Sequence, residues 1–196
     1  MTRLILLRHG ETDWNLQARW QGSADVPLNA TGLAQAHLVA EKLALEHLAA
    51  IYSSDLTRAR VTADIVARPH ALEVLVDARL REINMGRWEN QLQQEIPGLY
   101  PVEWAAWQGD NLHAPPLGGE SVIDLARRII PAIRDISSRY TAAEQILIVG
   151  HGLSLAVFLT HVNHQPLATV YERILPNATP LFLDWIPDLA GSADGF

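Results

Sequence analysis

Two short apolar runs, each followed by histidine and glycine, constrain the fold more than any other feature. They are LILLRHG at residues 4–10 and ILIVGHG at residues 146–152. Apolar runs without polar alternation are typical of strands covered on both faces, as in the centre of a parallel sheet. Ligands bind beyond the carboxyl ends of such strands. We therefore expect His9 and His151 to lie at one ligand-binding edge.

Three more apolar runs, at residues 50–53, 73–76 and 181–185, predict further strands. Helical patterns lie between the strands, which predicts an α/β fold: a three-layer α/β/α sandwich with a mostly parallel, mixed sheet. The first predicted helix covers residues 31–49 with Thr31 as N-cap, and a shorter one follows Asp55. A third begins at Ser121, which forms a capping box with Asp124, and Pro131 should kink or split it. The last runs from about Leu153 to His161.

The chain length of 196 residues fits one domain, so we expect residues 1–196 to form a single unit. Residues 84–120 hold three of the six tryptophans and several prolines. They predict an excursion over one edge of the sheet that shapes a substrate mouth. The turn-rich end, residues 186–196, is expected to be loosely held.

Composition excludes several function classes. The formal net charge of −7, from 15 basic and 22 acidic side chains, argues against a nucleic-acid binder. The absence of cysteine excludes disulfides, thiolate zinc sites and a cysteine nucleophile, and it fits a cytoplasmic location. Neither a signal peptide nor an apolar run of about 20 residues is present, so no membrane association is expected.

The polar residues at the predicted strand ends suit a phosphate group. Arginine matches phosphate oxygens with its planar fork and stays protonated, which fits Arg8 and Arg58 as an anion clamp. A neutral imidazole such as that of His9 is a competent nucleophile at phosphorus. Glu82 is then placed to serve as general acid. Each of these residues alone is more often structural, and together they predict only an anion site in an α/β domain.

The sequence LILLRHGETDWN resembles the opening signature of the histidine phosphatase superfamily, which includes phosphoglycerate mutases and α-ribazole phosphatases. Further matching blocks follow in family order and extend the resemblance over residues 3 to about 180. They are RWQGSADVPLNATGLAQA, IYSSDLTRARVTA, LREINMGRWEN, PLGGES and ILIVGHG. The resemblance implies a phosphoglycerate mutase-like fold and phosphoryl transfer without a metal or another cofactor.

The resemblance also implies roles for individual residues. His9 would form a phosphohistidine, Glu82 would donate the proton, and Arg8, Arg58 and His151 would hold the phosphate. The positions that match the phosphate site or its neighbouring loop are Thr12, Asn15, Gln21 and Gly22. The chain departs from the family pattern at Asn29, Val61 and Asn90, outside the catalytic set.

Several functions remain open at this point. The leading hypothesis is a metal-independent phosphomonoesterase for a small phosphorylated metabolite, such as α-ribazole 5′-phosphate or a sugar phosphate. A phosphoglycerate mutase is the first alternative, but residues 91–117 contain no arginine or lysine for a second anionic group. A non-catalytic phospho-ligand binding module and a metal-dependent hydrolase are the others. A homodimer is also an expectation.

Overall fold

The computed structural model describes residues 2–186 and is built around a five-stranded sheet. Its strands are β1 Thr2–Arg8, β2 Leu48–Ser53, β3 Val74–Val76, β4 Gln145–Gly150 and β5 Pro180–Trp185, in the spatial order β3-β2-β4-β1-β5. Strands β1 to β4 pair in parallel, and β5 runs antiparallel to β1. The five predicted strands and the mostly parallel, mixed sheet are confirmed.

The helices lie on both faces of this sheet. The α-helices of the described residues are α1 Asp13–Leu16, α2 Ala30–Leu43, α3 Thr57–Ala67, α4 Ile96–Leu99, α5 Pro101–Gly109, α6 Val122–Ser137 and α7 Gly152–Val162. Short 3₁₀ segments cover Arg68–His70, Ala78–Leu80, Gly86–Trp88, Gln93–Glu95 and Leu167–Arg173. Along β1, Leu4 and Leu6 pack in one apolar cluster with α6 and α7. Ile5 and Leu7 pack in a second with α2 and α3. The three-layer sandwich is therefore confirmed.

The start and the end of α2 differ from the prediction. The N-cap is Asn29, whose side chain accepts the backbone N–H of Gly32, and Thr31 lies exposed inside the helix. Asn29 also donates to Glu11, so a second contact favours it over Thr31. The helix ends at Leu43 and not near residue 49, because Leu45 is 92% exposed and the chain turns into β2.

Helix α6 begins as predicted but continues through its proline. Ser121 and Asp124 form the expected capping box. Pro131 lies within one continuous helix, Val122–Ser137, and does not split it. Pro131 and Arg127 are both on the exposed face. The carbonyl that loses its helical donor at Pro131 can therefore bond to water, which makes the proline tolerable.

Residues 84–120 contribute to the core as well as to the surface. Trp88 and Ile96 are fully buried, and the partly buried Trp104 and Trp107 pack against the same cluster. The rings of Trp104 and Trp107 are stacked, with centroids 5.1 Å apart. The predicted loose tail lies outside the described residues apart from Ile186. In the part of the chain that is described, no helix has the length and apolar character needed to cross a bilayer.

The corrected cap gives a stability prediction. Replacing Asn29 by alanine removes the acceptor for Gly32 and should lower the free energy of unfolding by about 1 kcal/mol. The matched variant Thr31→Ala should change it by less than about 0.5 kcal/mol, because Thr31 is exposed and caps nothing. Urea unfolding of both variants checks this, and equal losses would contradict the assignment of the cap.

Candidate active site

The pairing of β1 with β4 brings the two predicted histidines together. Arg8 is registered opposite Gly150, and the backbone N–H of His9 donates to the Gly150 carbonyl at 3.0 Å. The imidazole centroids of His9 and His151 are 5.2 Å apart, with their planes inclined by 60°. Both rings are buried. The predicted convergence of the two strand ends is present in the structure.

Hydrogen bonds fix the tautomer of His9. Its Nδ1 lies 2.6 Å from the carbonyl oxygen of Gly10, which can only accept, so we assign the ring proton to Nδ1. The Nε2 atom then carries a lone pair. The Nε–H of Arg58 donates to this atom at 3.2 Å. His9 is thus held as a neutral imidazole with Nε2 as its nucleophilic atom.

Burial and neighbouring cations keep both imidazoles neutral. Desolvation lowers the pKa of His9 well below 6.5, and the charges of Arg58 and Arg8 lower it further. Desolvation likewise lowers the pKa of His151 well below 6.5, with Arg58 as the next cause. A neutral imidazole is the form that attacks phosphorus, so the surroundings suit nucleophilic catalysis at neutral pH.

Arg58 is fully buried and is held by backbone carbonyls. Its Nη1 donates to Ala24 at 2.6 Å and its Nη2 donates to Gly22 at 2.7 Å. Burial lowers the pKa of Arg58 to about 10, which leaves it charged at neutral pH. Gly22 adopts a φ of +54°, and a Cβ there would collide with the carboxylate of Glu89. Only glycine therefore fits the turn that receives the guanidinium.

Arg8 and His151 contribute polar atoms that lack a partner among residues 2–186. Arg8 donates from Nη1 to the Leu175 carbonyl at 2.9 Å, but its Nε is buried and unpaired. Both ring nitrogens of His151 are also buried and unpaired. Buried polar groups are normally hydrogen-bonded, and a buried polar group without a hydrogen-bond partner costs free energy of folding. Because Arg8 lines the same cavity as His9, its unpaired N–H is available to an anionic ligand.

Glu82 is held at the amino terminus of α7. Its carboxylate accepts the backbone N–H groups of Leu153 and Ser154, each at 2.9 Å, and that of Ile83 at 3.0 Å. Positively polarised N–H groups at a helix start are natural partners for a carboxylate. The helix that follows His151 thus fixes the side chain that sequence reasoning proposed as the proton donor.

These groups share one cavity of about 300 Å³. Seven of the nine predicted site residues line it: Arg8, His9, Asn15, Gln21, Gly22, Arg58 and Glu82. His151 is not among the lining residues, and its ring contacts that of His9. Thr12 does not line the cavity; its hydroxyl donates to Gln21 at 3.0 Å, and it caps α1 and binds Asn15. Thr12 therefore supports the lining residues from behind.

The cavity wall also includes residues that the sequence analysis did not name as binding residues. They are Arg19, Trp20, Ile83, Met85, Gln93, Gly152, Leu153, Tyr171 and Ile174. Two of them, Met85 and Gln93, lie in the segment 84–120 that was expected to shape a substrate mouth. Tyr171 lies on the 3₁₀ segment Leu167–Arg173, far along the chain from the motifs, and nothing in the local sequence indicates that it returns to the site. Burial, followed by the charge of Glu82, raises the pKa of Tyr171 to about 12, so its hydroxyl stays protonated. Another missed residue, Asn177, donates to the His9 carbonyl at 2.9 Å.

A metal site is not evident in the described residues. No group of three or more histidine, aspartate, glutamate or cysteine side chains within residues 2–186 is arranged to hold an ion. The polar side chains of the cavity are mostly cationic or neutral, and they suit an anion better than a cation.

Comparisons with known proteins agree with this geometry. A family model described as the histidine phosphatase superfamily (branch 1) matches residues 4–189. "Probable phosphoglycerate mutase GpmB" of Proteus mirabilis is 39% identical over 170 residues, which is 85% of this chain and 77% of that protein. "Phosphoserine phosphatase 1" of Hydrogenobacter thermophilus is 35% identical over 151 residues, 77% of this chain and 71% of that protein. The solved α-ribazole phosphatase from Shigella flexneri superposes with a TM-score of 0.85 at 28% identity, covering 93% of this chain and 90% of that one.

The lowered histidine pKa values make stability depend on pH. The unfolded chain takes up protons on these histidines near pH 6.5, whereas folded His9 and His151 do not. The free energy of unfolding should therefore be fully maintained above pH 6.5 and fall as the pH decreases below it. His9→Asn and His151→Asn should each reduce that slope by up to about 1.4 kcal/mol per pH unit.

Urea unfolding between pH 5 and 7.5 measures this slope. The exposed His164 gives a matched control, and His164→Asn should keep the slope of the wild type. A slope unchanged by both buried variants would show that the two imidazoles are not kept neutral by the fold.

Proposed function

The chain belongs to the histidine phosphatase superfamily, and we propose that it is a metal-independent phosphomonoesterase for small phosphorylated metabolites. The observation that carries this proposal is the state of His9: a buried, neutral imidazole whose Nδ1 is fixed by Gly10, so that Nε2 is the nucleophile. Nε2 lies beside the Arg58 guanidinium, in a cavity that Glu82 also lines. Nucleophile, phosphate clamp and proton donor are therefore within one small volume.

In the first step, Nε2 of His9 attacks phosphorus in line with the leaving oxygen. The N–P bond forms as the P–O ester bond breaks, and protonated Glu82 transfers its proton to the leaving alkoxide. Arg8 and Arg58 hold the phosphoryl oxygens, with His151 beside His9. Phosphoryl transfer depends mainly on positioning and charge stabilisation, which this cationic cradle supplies.

In the second step, water attacks the phosphohistidine. Glu82, now a carboxylate, accepts a proton from the water as the new P–O bond forms and the N–P bond breaks. Inorganic phosphate leaves and neutral His9 is restored. One carboxyl group thus serves as acid and then as base, which balances the protons over one turnover.

The cavity wall supports a phosphatase over a mutase. Residues 91–117 supply no lysine or arginine, so a second phosphate of a bisphosphate would find little charge there. Besides Arg8 and Arg58, Arg19 is the further cation among the lining residues, which also include Trp20 and Tyr171. One guanidinium suits a single carboxylate or hydroxyl group on the leaving group, and the aromatic rings suit a sugar or a base, as in α-ribazole 5′-phosphate. A binding module without turnover is disfavoured because the full catalytic set is present.

Turnover should not require a metal ion. In EDTA, the wild type should release phosphate from at least one member of a panel containing α-ribazole 5′-phosphate, sugar phosphates, nucleoside monophosphates, phosphoserine, 3-phosphoglycerate and an aryl phosphate. His9→Ala should be inactive on every member, because it lacks the nucleophile. The substrate with the highest kcat/KM indicates the leaving-group class. Binding of phosphate esters without release by the wild type would instead support the binding module.

The role of Glu82 as proton donor predicts a dependence on the leaving group. Glu82→Gln cannot donate a proton, so it should slow alkyl phosphates by about 100-fold or more. Activated aryl phosphates, whose leaving groups need no proton, should be slowed much less. Steady-state kinetics across a series of leaving-group pKa values tests this. Equal slowing throughout the series would remove Glu82 from the acid role.

A further inference from the structure

The loop that carries Glu82 is fastened to α6 by one arginine. Residues 82–85 belong to no helix or strand. Arg128 on α6 donates from Nη1 to the carbonyl oxygens of Arg79 and Arg81, at 3.1 and 2.7 Å. Its Nη2 donates to the carbonyl oxygen of Glu82 itself at 2.7 Å. A single guanidinium thus binds three carbonyl groups: two from residues 79 and 81, just before this loop, and one from Glu82 at its start.

Glu120 orients that guanidinium. Its two carboxylate oxygens accept from Nε and Nη2 of Arg128, both at 2.8 Å, which is the paired geometry that arginine forms with carboxylates. Glu120 also accepts the backbone N–H of Asn84 at 2.8 Å and donates its own N–H to the Asn84 carbonyl at 2.8 Å. The side chains of Arg128 and Glu120 are only 23% and 26% exposed. The pair therefore holds the loop on both sides of Glu82.

The two ends of Glu82 are fixed by different helices. Its carboxylate is bound to the first turn of α7 through Leu153 and Ser154. Its backbone is bound to α6 through Arg128. This stretch has no ladder or helix hydrogen bonds of its own. The buried side chains of Ile83 and Met85 anchor it in the apolar core, while Arg128 and Glu120 bind its backbone groups at Glu82 and Asn84. A shift of about 1 Å in a catalytic group can cost about 100-fold in rate.

We propose that Arg128, oriented by Glu120, is a positioning residue that sets the location of the Glu82 carboxyl group relative to the leaving oxygen. This inference rests on the proposed function, because it assigns to the Arg128–Glu120 pair a role in the proton transfer that Glu82 performs. Arg128 is not among the residues that line the cavity of the candidate active site. Its effect is therefore expected in proton donation and not in phosphate binding.

The test compares Arg128→Gln with a neighbour on the same helix. Arg127 is 65% exposed, and its ion pair is to Asp124, so Arg127→Gln is the matched control. Arg128→Gln should lower kcat/KM for an alkyl phosphate by about 10- to 100-fold, while changing it by less than about threefold for an activated aryl phosphate. Arg127→Gln should change neither. The double variant Glu82→Gln/Arg128→Gln should show the same dependence of kcat/KM on the leaving group as Glu82→Gln alone.

Two results would overturn the inference. If Arg128→Gln lowered kcat/KM equally for both esters, Arg128 would have a general structural role. If it lowered kcat/KM for neither ester, the loop would keep its position without Arg128. Should Arg128→Gln fail to fold, Arg128→Lys and Glu120→Gln carry the same test. In Arg128→Lys the charge is retained but the planar fork of the guanidinium is lost. In Glu120→Gln the guanidinium of Arg128 loses its charged partner and is oriented less strongly. Both should show the same preference for activated esters.

Failure of the inference is distinguishable from failure of the proposed function. A wild type that forms no phosphohistidine and releases no phosphate contradicts the phosphatase itself. A wild type whose activity and leaving-group dependence are altered by Glu82→Gln, but not by Arg128→Gln, keeps the phosphatase and removes only the positioning role.

Discussion

The register of β1 on β4 is the constraint on which the site depends. All residues from Leu4 to Leu7 are buried, so the apolar pattern alone would tolerate a slip along the strand. The polar ends remove that freedom: Thr2 bonds to α6 at the amino end, and Arg8 stands opposite Gly150 at the carboxyl end. Because the register is fixed by the ends, His9 and His151 are placed side by side.

The cations of the site are held by carbonyl groups and not by carboxylates. Within residues 2–186 neither Arg8 nor Arg58 forms an ion pair; they bind the carbonyl oxygens of Leu175, Gly22 and Ala24. Carbonyl dipoles orient the guanidinium groups without neutralising them. Burial is the main cause that lowers the pKa of both histidines, and the positive charges of the arginines lower it further. The same positive charges suit a phosphate dianion, so the arginines favour both a neutral imidazole and an anionic ligand.

Sequence reasoning located the site residues whose positions follow from the strand ends and from the sequence motifs. Uninterrupted apolar runs predicted the strands. The carboxyl edge of the parallel strands and the family resemblance together predicted the site residues His9, His151, Arg8, Arg58 and Glu82. Contacts across long sequence separations were not predictable: Tyr171 and Asn177 reach the site by tertiary packing that no local pattern encodes. The cap at Asn29 was missed because its advantage over Thr31 includes a contact with Glu11.

Under the proposed function, the cavity wall available to the leaving group is built from several separate segments. Residues 91–117 contain no lysine or arginine, and their Trp107 packs against two lining residues, Trp20 and Tyr171. The lining cation Arg19 comes from the segment after α1. Arg19 is itself bound to the Asn90 carbonyl at 2.6 Å, so the two segments meet at the rim. A change in residues 84–120 therefore alters both the aromatic packing and the position of the cation. Substrate preference can diverge in this way while the phosphate clamp at the strand ends stays unchanged.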